Sequence, residues 1–378
     1  MNRNEKEDVV DLYGDRAHTA VLHRRVAQLL EEYALDAIVL QTRANFSWLT
    51  GGRDNHIVNA SETGVASLVV FPDRIVCVTT SMEERRIREE EIGALDIEII
   101  SGDWTVGIQP LYERLFKGKK IGADTLLAGT TDVTAPLARA RRPFTALQIK
   151  QYRAVSQLAV QVLEETGKSL LPGMQEHAIA ARISANVMAL GASPIVTLVA
   201  TDDRILRYRH PIPTVQVLQR DAMLVLCAQK YGLVANVTRF VHVGRIAPEL
   251  RDRQERCTMI DVKMNAATRP GVRVGDVVAT GLKAYAEAGY PDDWKLLHQG
   301  GPTGYFSREY FATLDSDDVI QEGEAYAWNP ALAGFKSEDT LLVGAYHNEF
   351  LTHSGNWVYQ SISYNGEVFQ RPIILEVE

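Results

Sequence analysis

The chain has few cysteines, and their positions do not suggest disulfide bonds. Three occur in 378 residues, at Cys77, Cys227 and Cys257, and none forms a Cys-x-x-Cys pair. An odd number of widely separated cysteines cannot pair completely, which argues against a disulfide-stabilised secreted domain. We expect free, buried thiols in a reducing cytosol.

Long apolar runs and stretches of one charge are also missing. No apolar run approaches the roughly 20 residues that span a bilayer, and the first residues, MNRNEKEDVVDLYG, are too polar for a secretory signal. The formal charge of −8 is spread out without a basic stripe, which argues against nucleic-acid binding. We expect a cytoplasmic globular protein with a small-molecule substrate and no membrane or nucleic-acid partner.

The most informative absence is that of carboxylates between Ala222 and Pro248. This segment contains no Asp or Glu, and it predicts two β-rich runs joined by a turn at Tyr231-Gly232. Hard divalent cations need several anionic oxygens to replace their hydration shell. The hairpin therefore offers no carboxylate to a metal.

Hydrophobic periodicity predicts an α/β first part with a mixed sheet. Residues 18–34 have helical spacing, residues 81–92 predict a charged helix capped by Ser81, and NFSWLTGG predicts a strand end with a turn. The predicted strands are DAIVLQ, VASLVVF, RIVCVTT, DIEIIS and KIGAD. A domain boundary is expected near Arg142-Pro143, before a long helix over residues 147–170.

The second part predicts helices between strands, an α+β arrangement. The helices cover residues 174–192, 248–267 and 275–288, and the strands are SPIVTLVAT, AMLVLCAQ, LVANVTRFVHVG, AYAWNP and TLLVGAYHNEFLT. The turn signal Tyr364-Asn365-Gly366 predicts two more strands in the final segment.

Five short motifs follow one another in a characteristic order. They are Asn45–Gly51, Gly173–Glu176, His210–Thr214, Asn236–Arg239 and Glu338–Thr340. Together they resemble the creatinase, prolidase and aminopeptidase P family over nearly the whole chain. The resemblance implies an N-terminal α/β creatinase-like domain over residues 1–143. It also implies a pita-bread domain, a curved antiparallel sheet covered by helices, over 144–378, with 353–378 as extra C-terminal strands.

Metal-dependent members of that family hold two divalent ions with five ligands. The resemblance places the five positions at Val225, Asn236, Gly301, Asn329 and Glu338, so one carboxylate of the five remains. Two amides and one carboxylate do not offset the dehydration of two divalent ions. The resemblance thus implies a member without a catalytic metal, and we expect no other cofactor.

His210 and Glu338 are the candidate catalytic residues. His210 lies in RHPIPT, and the matching histidine of metal-free creatinase acts as a general acid or base, a role that suits a group titrating near 6.5. Glu338 matches the glutamate that binds the cationic guanidinium-type group of creatinase's substrate. The alternative interpretations are an exposed loop histidine and a glutamate paired with an arginine such as Arg239.

The other candidates would bind substrate. Arg308 resembles the creatinase arginine that grips a substrate carboxylate, a task that suits a guanidinium. His298 is either a substrate contact or a structural loop residue. Asn236 and Asn329 replace metal ligands and could orient a water or a substrate amide, or simply keep the pocket polar. Thr238 belongs to the same motif as Asn236.

Family dimers suggest a further set of contacts. In them the N-terminal loop reaches into the partner subunit's site, which makes Arg53 and His56 candidates for a lid in trans. The resemblance accordingly implies a homodimer with the N-terminal domain near the partner's site. Cys227, beside a lost ligand position, is expected to be a small buried residue.

The first hypothesis is a metal-independent hydrolase. It would act on a non-peptide C–N bond of a small polar, cationic or carboxylate-bearing, amino-acid-like substrate, with His210 as the acid–base group. One alternative is elimination, cyclisation or rearrangement of such a metabolite in the same pocket. Another is a catalytically inactive, peptidase-like binding module. A metal-dependent Xaa-Pro peptidase comes last because the carboxylates are missing. Fold does not decide among them.

Overall fold

The computed structural model describes residues 12–378, and the chain forms two compact units. One comprises the chain up to Arg141 together with Ala146–Gln151, and the other comprises Arg142–Thr145 with Tyr152–Glu378. The predicted boundary after residue 143 lies in this region. Within residues 12–378, no helix has both the length and the apolar character needed to cross a membrane.

The first unit is a six-stranded mixed sheet with helices. Its strands are β1 Ala37–Thr42, β2 Thr63–Val70, β3 Ile75–Thr80, β4 Glu98–Gly102, β5 Ile121–Ala123 and β6 Thr131–Asp132. Its helices are α1 Arg16–Glu32, α2 Arg43–Leu49, α3 Glu84–Arg86, α4 Gln109–Phe116 and α5 Thr134–Arg141. The strand order is β4-β3-β2-β1-β5-β6, and β2 runs antiparallel to both of its neighbours. The mixed sheet predicted from the sequence is therefore confirmed.

Two local predictions in this unit are wrong. NFSWL lies in helix α2 instead of ending a strand, because Thr42 caps the helix by accepting a hydrogen bond from the Asn45 amide at 3.3 Å. Ser81 caps no helix: residues 81–83 form a turn, and α3 continues into a π-helical segment at Ile87–Ile92.

The second unit surrounds a four-stranded sheet with helices and smaller sheets. Its helices are α6 Ala146–Lys168, whose first six residues belong to the first unit, α7 Glu176–Ala189, α8 Asp203–Arg207, α9 Pro248–Ala267 and α10 Val274–Glu287. Its longer strands are β7 Ser193–Thr201, β8 Asp221–Lys230, β9 Leu233–Val243, β10 Gly300–Thr303 and β11 Ala325–Trp328. Shorter strands follow at β12 Ala331–Leu332, β13 Phe335–Lys336, β14 Leu341–Leu342 and β15 Glu349–Phe350.

The final segment adds three strands, one more than predicted. Strands β16 Tyr359–Tyr364 and β17 Glu367–Pro372 form the expected hairpin, and β18 Leu375–Val377 runs parallel to β9 at the edge of the main sheet, in the order β18-β9-β8-β7. The predicted long strand over TLLVGAYHNEFLT is interrupted. A Cβ at Gly344 would lie 2.2 Å from the His347 carbonyl oxygen, so the chain turns tightly between β14 and β15.

The core of the second unit lies between the main sheet and helices α9 and α10. Met223 and Phe240 from the sheet pack with Ile260 and Val277 from the helices, and each of these side chains is at most 5% exposed. Strands β8 and β9 are buried along almost their whole length. Rigid, buried strands of this kind can hold site residues in fixed positions.

Candidate functional site

A small cavity in the second unit contains most of the residues predicted to be functional. Its volume is about 120 Å³, well below the roughly 300–1,000 Å³ of typical drug-sized pockets. The lining residues are Val196, Leu198, His210, Val225, Cys227, Asn236, His298, Ser307, Arg308, Phe311, Asn329, Lys336 and Glu338. Six of the nine predicted site residues are in this set.

The β8–β9 hairpin forms one wall of this cavity. Tyr231 and Gly232, with φ of 57° and 75°, make the tight turn that the sequence predicted. The register pairs Cys227 with Asn236 and Val225 with Thr238. Because side chains alternate along a strand, these four residues share one face.

Glu338 accepts hydrogen bonds from three side chains at the cavity. Its Oε1 accepts from Arg308 Nη2 at 2.7 Å, and its Oε2 accepts from both Lys336 Nζ and Thr238 Oγ1 at 2.7 Å. Burial would raise the pKa of Glu338, but the positive charges of Lys336 and Arg308 outweigh it and hold that pKa well below the usual range. Glu338 is therefore an anion at every physiological pH.

This arrangement changes the expectation for Glu338. The sequence assigned it to a cationic group of the substrate, whereas its two oxygens already have two cations of the protein as partners. The alternative interpretation, a buried glutamate paired with an arginine, does occur, but the arginine is Arg308. Arg239 contacts Glu164 and Asp339 instead. A substrate cation would have to displace a charged side chain to reach this carboxylate.

Lys336 was not among the residues predicted from the sequence to belong to the site. Its side chain is 6% exposed and lines the cavity beside Glu338. The signal was available: Lys336 and Glu338 are two residues apart in an extended segment, a spacing that puts both on one face of a strand. A lysine between buried apolar residues is seldom fully buried unless it is paired, and here its partner is Glu338.

Two histidines line the cavity, and His210 lies in a loop and is exposed, as the alternative interpretation had it. The rings of His210 and His298 lie 5.7 Å apart between centroids, and His298 stacks on Phe311 at 4.2 Å. Burial lowers the pKa of His298 to about 4, and the Arg308 charge acts in the same direction. Partial desolvation, supported by the Lys336 charge, also lowers the pKa of His210. Both imidazoles are therefore neutral at pH 7.

The two asparagines differ in their contacts. Asn236 is fully engaged: its Nδ2 donates to Thr303 Oγ1 at 2.9 Å, and its Oδ1 accepts from the Cys227 thiol at 3.3 Å. Asn329 is 2% exposed, and its buried Oδ1 has no hydrogen-bond partner. An unsatisfied buried oxygen is costly, which marks Asn329 as the better candidate for contacting a ligand. Burial raises the pKa of Cys227 to about 12, so its thiol stays protonated.

The residues of the cavity do not fit the pair of divalent ions that metal-dependent members of the family hold. Among residues 12–378, no group of three or more His, Cys, Asp or Glu side chains is placed to hold a metal ion. The one remaining carboxylate, Glu338, is already occupied by Arg308 and Lys336. An ion there would meet two positive charges.

Gly301, which the resemblance places at a metal-binding histidine of the family, has no room for a side chain. Its φ is 152°, and a Cβ would lie 2.6 Å from the Tyr310 carbonyl oxygen. Gly300 is tighter still, since a Cβ there would lie 2.1 Å from the Ala327 carbonyl oxygen. Restoring a histidine at position 301 would therefore require the backbone to move.

Three predicted site residues lie outside the cavity lining. Thr238 acts through its hydrogen bond to Glu338, so its direct contact is with that carboxylate. Arg53 and His56 belong to the first unit, where Arg53 lies over the Tyr13 ring and His56 Nδ1 is 2.8 Å from Asp54. Their role at a partner's site stays a prediction.

A buried ionic network supports the segment that carries Glu338. Arg239 Nη1 donates to Asp339 Oδ1 at 3.0 Å, and its Nε donates to Glu164 at 2.9 Å. Arg371, on strand β17, reaches Asp339 Oδ2 at 3.0 Å and Asp261 Oδ2 at 2.5 Å. Both guanidinium groups have no exposed surface. Through Arg371, the C-terminal segment thus contributes a positive charge to the ionic network around Asp339, the residue next to Glu338.

Comparison with protein families identifies both parts of the chain. Residues 150–347 match the model of metallopeptidase family M24, and residues 23–135 match that of the creatinase/prolidase N-terminal domain. No curated protein matches the chain in sequence. Residues 348–378, which contain Arg371 and strands β16–β18, lie beyond the matched region.

Solved structures show the same fold. Dipeptidase PepE from Mycobacterium ulcerans has a TM-score of 0.77 at 16% identity, covering 97% of this chain and 100% of its own. The prolidase from Pyrococcus horikoshii OT3 has a TM-score of 0.75 at 16% identity, covering 88% and 98%. The N-terminal domain of FACT complex subunit SPT16 from Cicer arietinum (chickpea) has a TM-score of 0.69 at 11% identity, covering 89% and 97%. The predicted two-domain architecture, with a C-terminal pita-bread fold, is confirmed.

Proposed function

Because this chain belongs to metallopeptidase family M24 and carries a creatinase/prolidase N-terminal domain, we propose that it is a hydrolase working without a metal. Its substrate would be a small, carboxylate-bearing molecule with a non-peptide C–N bond. The observation that carries this proposal is the state of Glu338, whose two oxygens bind Arg308, Lys336 and Thr238. Arg308 and Lys336 therefore occupy the positions beside Glu338 that a metal ion would need.

The size and lining of the cavity favour a small metabolite. A volume of about 120 Å³ holds only a few non-hydrogen atoms in addition to the reacting group. Val196, Leu198 and Val225 supply an apolar wall, while the polar groups come together around Glu338. A pocket with a few convergent polar groups on an apolar wall is typical of small-molecule sites.

His210 is the group that supplies proton transfer in this proposal. Its neutral imidazole, which lines the cavity, accepts a proton as a water oxygen forms a bond to the electrophilic carbon. The electron pair of the C=O or C=N bond moves to the heteroatom. When that double bond reforms, the C–N bond breaks, and His210 returns the proton to the leaving nitrogen.

Arg308 would hold the substrate carboxylate in this reaction. Its Nη2 is bound to Glu338 and its Nη1 to the Ser307 carbonyl oxygen, whereas its buried Nε has no hydrogen-bond partner. A guanidinium with a free donor can form a charge-assisted hydrogen bond with a carboxylate. Fixing the substrate in this way replaces part of what a metal would contribute to orientation.

We also infer a homodimer in which Arg53 and His56 of one chain approach the cavity of the other. The support for it is the family membership, which extends over both domains. Light scattering at micromolar concentration measures the oligomeric state, and a monomer would contradict the inferred homodimer.

A substrate panel tests the proposed reaction. Small N-acyl and N-carbamoyl amino acids and Xaa-Pro dipeptides are incubated with the protein in water enriched in ¹⁸O, with and without a chelator. We expect release of an amine from a non-peptide substrate, one ¹⁸O in the other product, and the same rate with the chelator. Cleavage of Xaa-Pro dipeptides that the chelator abolishes would contradict the proposal. A product without ¹⁸O would indicate elimination or rearrangement instead.

A further inference from the structure

The charges that line the cavity do not balance. Arg308 and Lys336 each bring a positive charge, and Glu338 brings the one negative charge among the lining residues. His210 and His298 are neutral at pH 7, since partial desolvation of His210 and burial of His298 lower the pKa of both. The cavity therefore has a net charge of about +1 in a setting of low dielectric.

Lys336 is able to bind more than Glu338. An ammonium group has three N–H donors, and one of them is used in the 2.7 Å bond from Nζ to Glu338 Oε2. The side chain is 6% exposed, so bulk water has little access to it. A buried cation beside a cavity attracts an anionic oxygen and repels a second cation.

Asn329 adds a complementary acceptor. Its buried Oδ1 has no hydrogen-bond partner, and the residue lines the same cavity as Lys336. A ligand with an oxygen beside Arg308 and Lys336 and an N–H that donates to Asn329 Oδ1 would provide a partner for the two cations and for this oxygen. An acylamino or ureido group has this combination of a carbonyl oxygen and an N–H, whereas an amidinium or guanidinium group offers donors and a positive charge.

We propose that Lys336 is a catalytic residue, which with Arg308 forms an anion-binding site, and that the substrate is an anion whose reacting group is an uncharged amide or urea. The reaction itself rests on the proposed function. Water adds to the carbonyl carbon, the carbonyl electron pair moves to oxygen, and the Lys336 ammonium stabilises the resulting oxyanion by a charge-assisted hydrogen bond. The collapse of this intermediate reforms the C=O bond and expels the nitrogen, which takes its proton from His210.

Acetate and acetamidinium are suitable probes because they have the same shape and opposite charge. Their binding is followed through the imidazole NMR resonances of His210 and His298 in the full-length protein at pH 7. We expect acetate to shift both resonances and to bind at least roughly tenfold more tightly than acetamidinium. Absence of an acetate shift up to about 100 mM, or equal or tighter binding of acetamidinium, would overturn the proposal.

Three variants show whether Lys336 is responsible. Lys336→Met should weaken acetate binding roughly tenfold, and Lys336→Arg should restore most of it because the positive charge returns. Lys295→Met is the matched control, since it removes the same charge from a side chain that is 58% exposed, and it should bind acetate like the wild type. An unchanged acetate affinity in folded Lys336→Met would remove Lys336 from the site. If this variant does not fold, the comparison of acetate with acetamidinium on the wild type still tests whether the cavity prefers an anion.

The two proposals fail in different ways. Acetate binding that depends on Lys336, in a protein that adds no water to any amide or urea, would leave the anion site intact and contradict the hydrolase assignment. Hydrolysis of an amidinium or guanidinium substrate at an unchanged rate in Lys336→Met would leave the hydrolase assignment intact and contradict the role of Lys336.

Discussion

Replacing His210 by alanine should lower turnover of the substrate by roughly 10²–10⁴-fold, the usual contribution of a positioned acid–base group. The reason is that His210 lies beside the cavity of Glu338 and Lys336, where its imidazole can take the proton of the attacking water. Substrate binding should weaken much less, since proton transfer stabilises mainly the transition state. The measurement is kcat and KM of the two proteins with a substrate identified by the panel.

The pH profile provides a second readout of His210. Its pKa in the folded protein is lowered from 6.5, so the neutral base is present at pH 7 and persists below pH 6.5. The rate should therefore fall only on the acid side of the ordinary histidine pKa, and this limb should disappear in His210→Ala. His298→Ala removes the neighbouring ring and serves as the control. This variant should keep the acid limb of the pH profile, provided that its thermal stability equals that of His210→Ala. Near-wild-type turnover in folded His210→Ala would exclude the histidine from the mechanism.

Replacing Arg371 by methionine should lower the free energy of unfolding by about 3–5 kcal/mol, the usual cost of removing one partner from a buried ion pair. Arg371 has no exposed surface and contacts both Asp261 and Asp339. Without it, two buried carboxylates lose a compensating cation. Chemical denaturation at pH 7 measures the change.

Arg251→Met is the matched control for Arg371. Arg251 also pairs with a residue of the C-terminal segment, Glu376, but the two side chains are 47% and 34% exposed. Such surface pairs contribute about 0–1 kcal/mol, so this variant should be nearly as stable as the wild type. Equal losses in the two variants would show that the buried network has no special role in holding the C-terminal segment.

Side-chain identity made much of the site predictable from the sequence. The resemblance places four of the family's five metal-ligand positions at Val225, Gly301 and two asparagines, and no knowledge of geometry is needed to see that these residues bring no carboxylate or imidazole. The hairpin at Tyr231-Gly232 was equally predictable, because a two-residue turn with positive φ has a local sequence signature. Helix α1 followed from the helical spacing of its apolar residues, and the bounds predicted for α6 and α9 lie within two residues of those observed.

Charge pairing could not be predicted in the same way. Glu338 finds Arg308 at a separation of 30 residues, and Arg371 reaches Asp339 across 32 residues, so the partners are determined by tertiary structure. The expectation that Glu338 binds a substrate cation left out Lys336, two residues away, which donates a hydrogen bond to that carboxylate. Short elements such as helix α2 were missed because a single cap, Thr42, decides between helix and strand there.

Metal content shows whether the cations of this site belong to the protein. Elemental analysis is carried out on the purified chain after incubation with Mn²⁺, Co²⁺ or Zn²⁺ and removal of the excess. We expect far less than one metal ion per chain, because Arg308 and Lys336 occupy the remaining carboxylate. About two ions per chain, bound with activity that a chelator removes, would contradict this expectation.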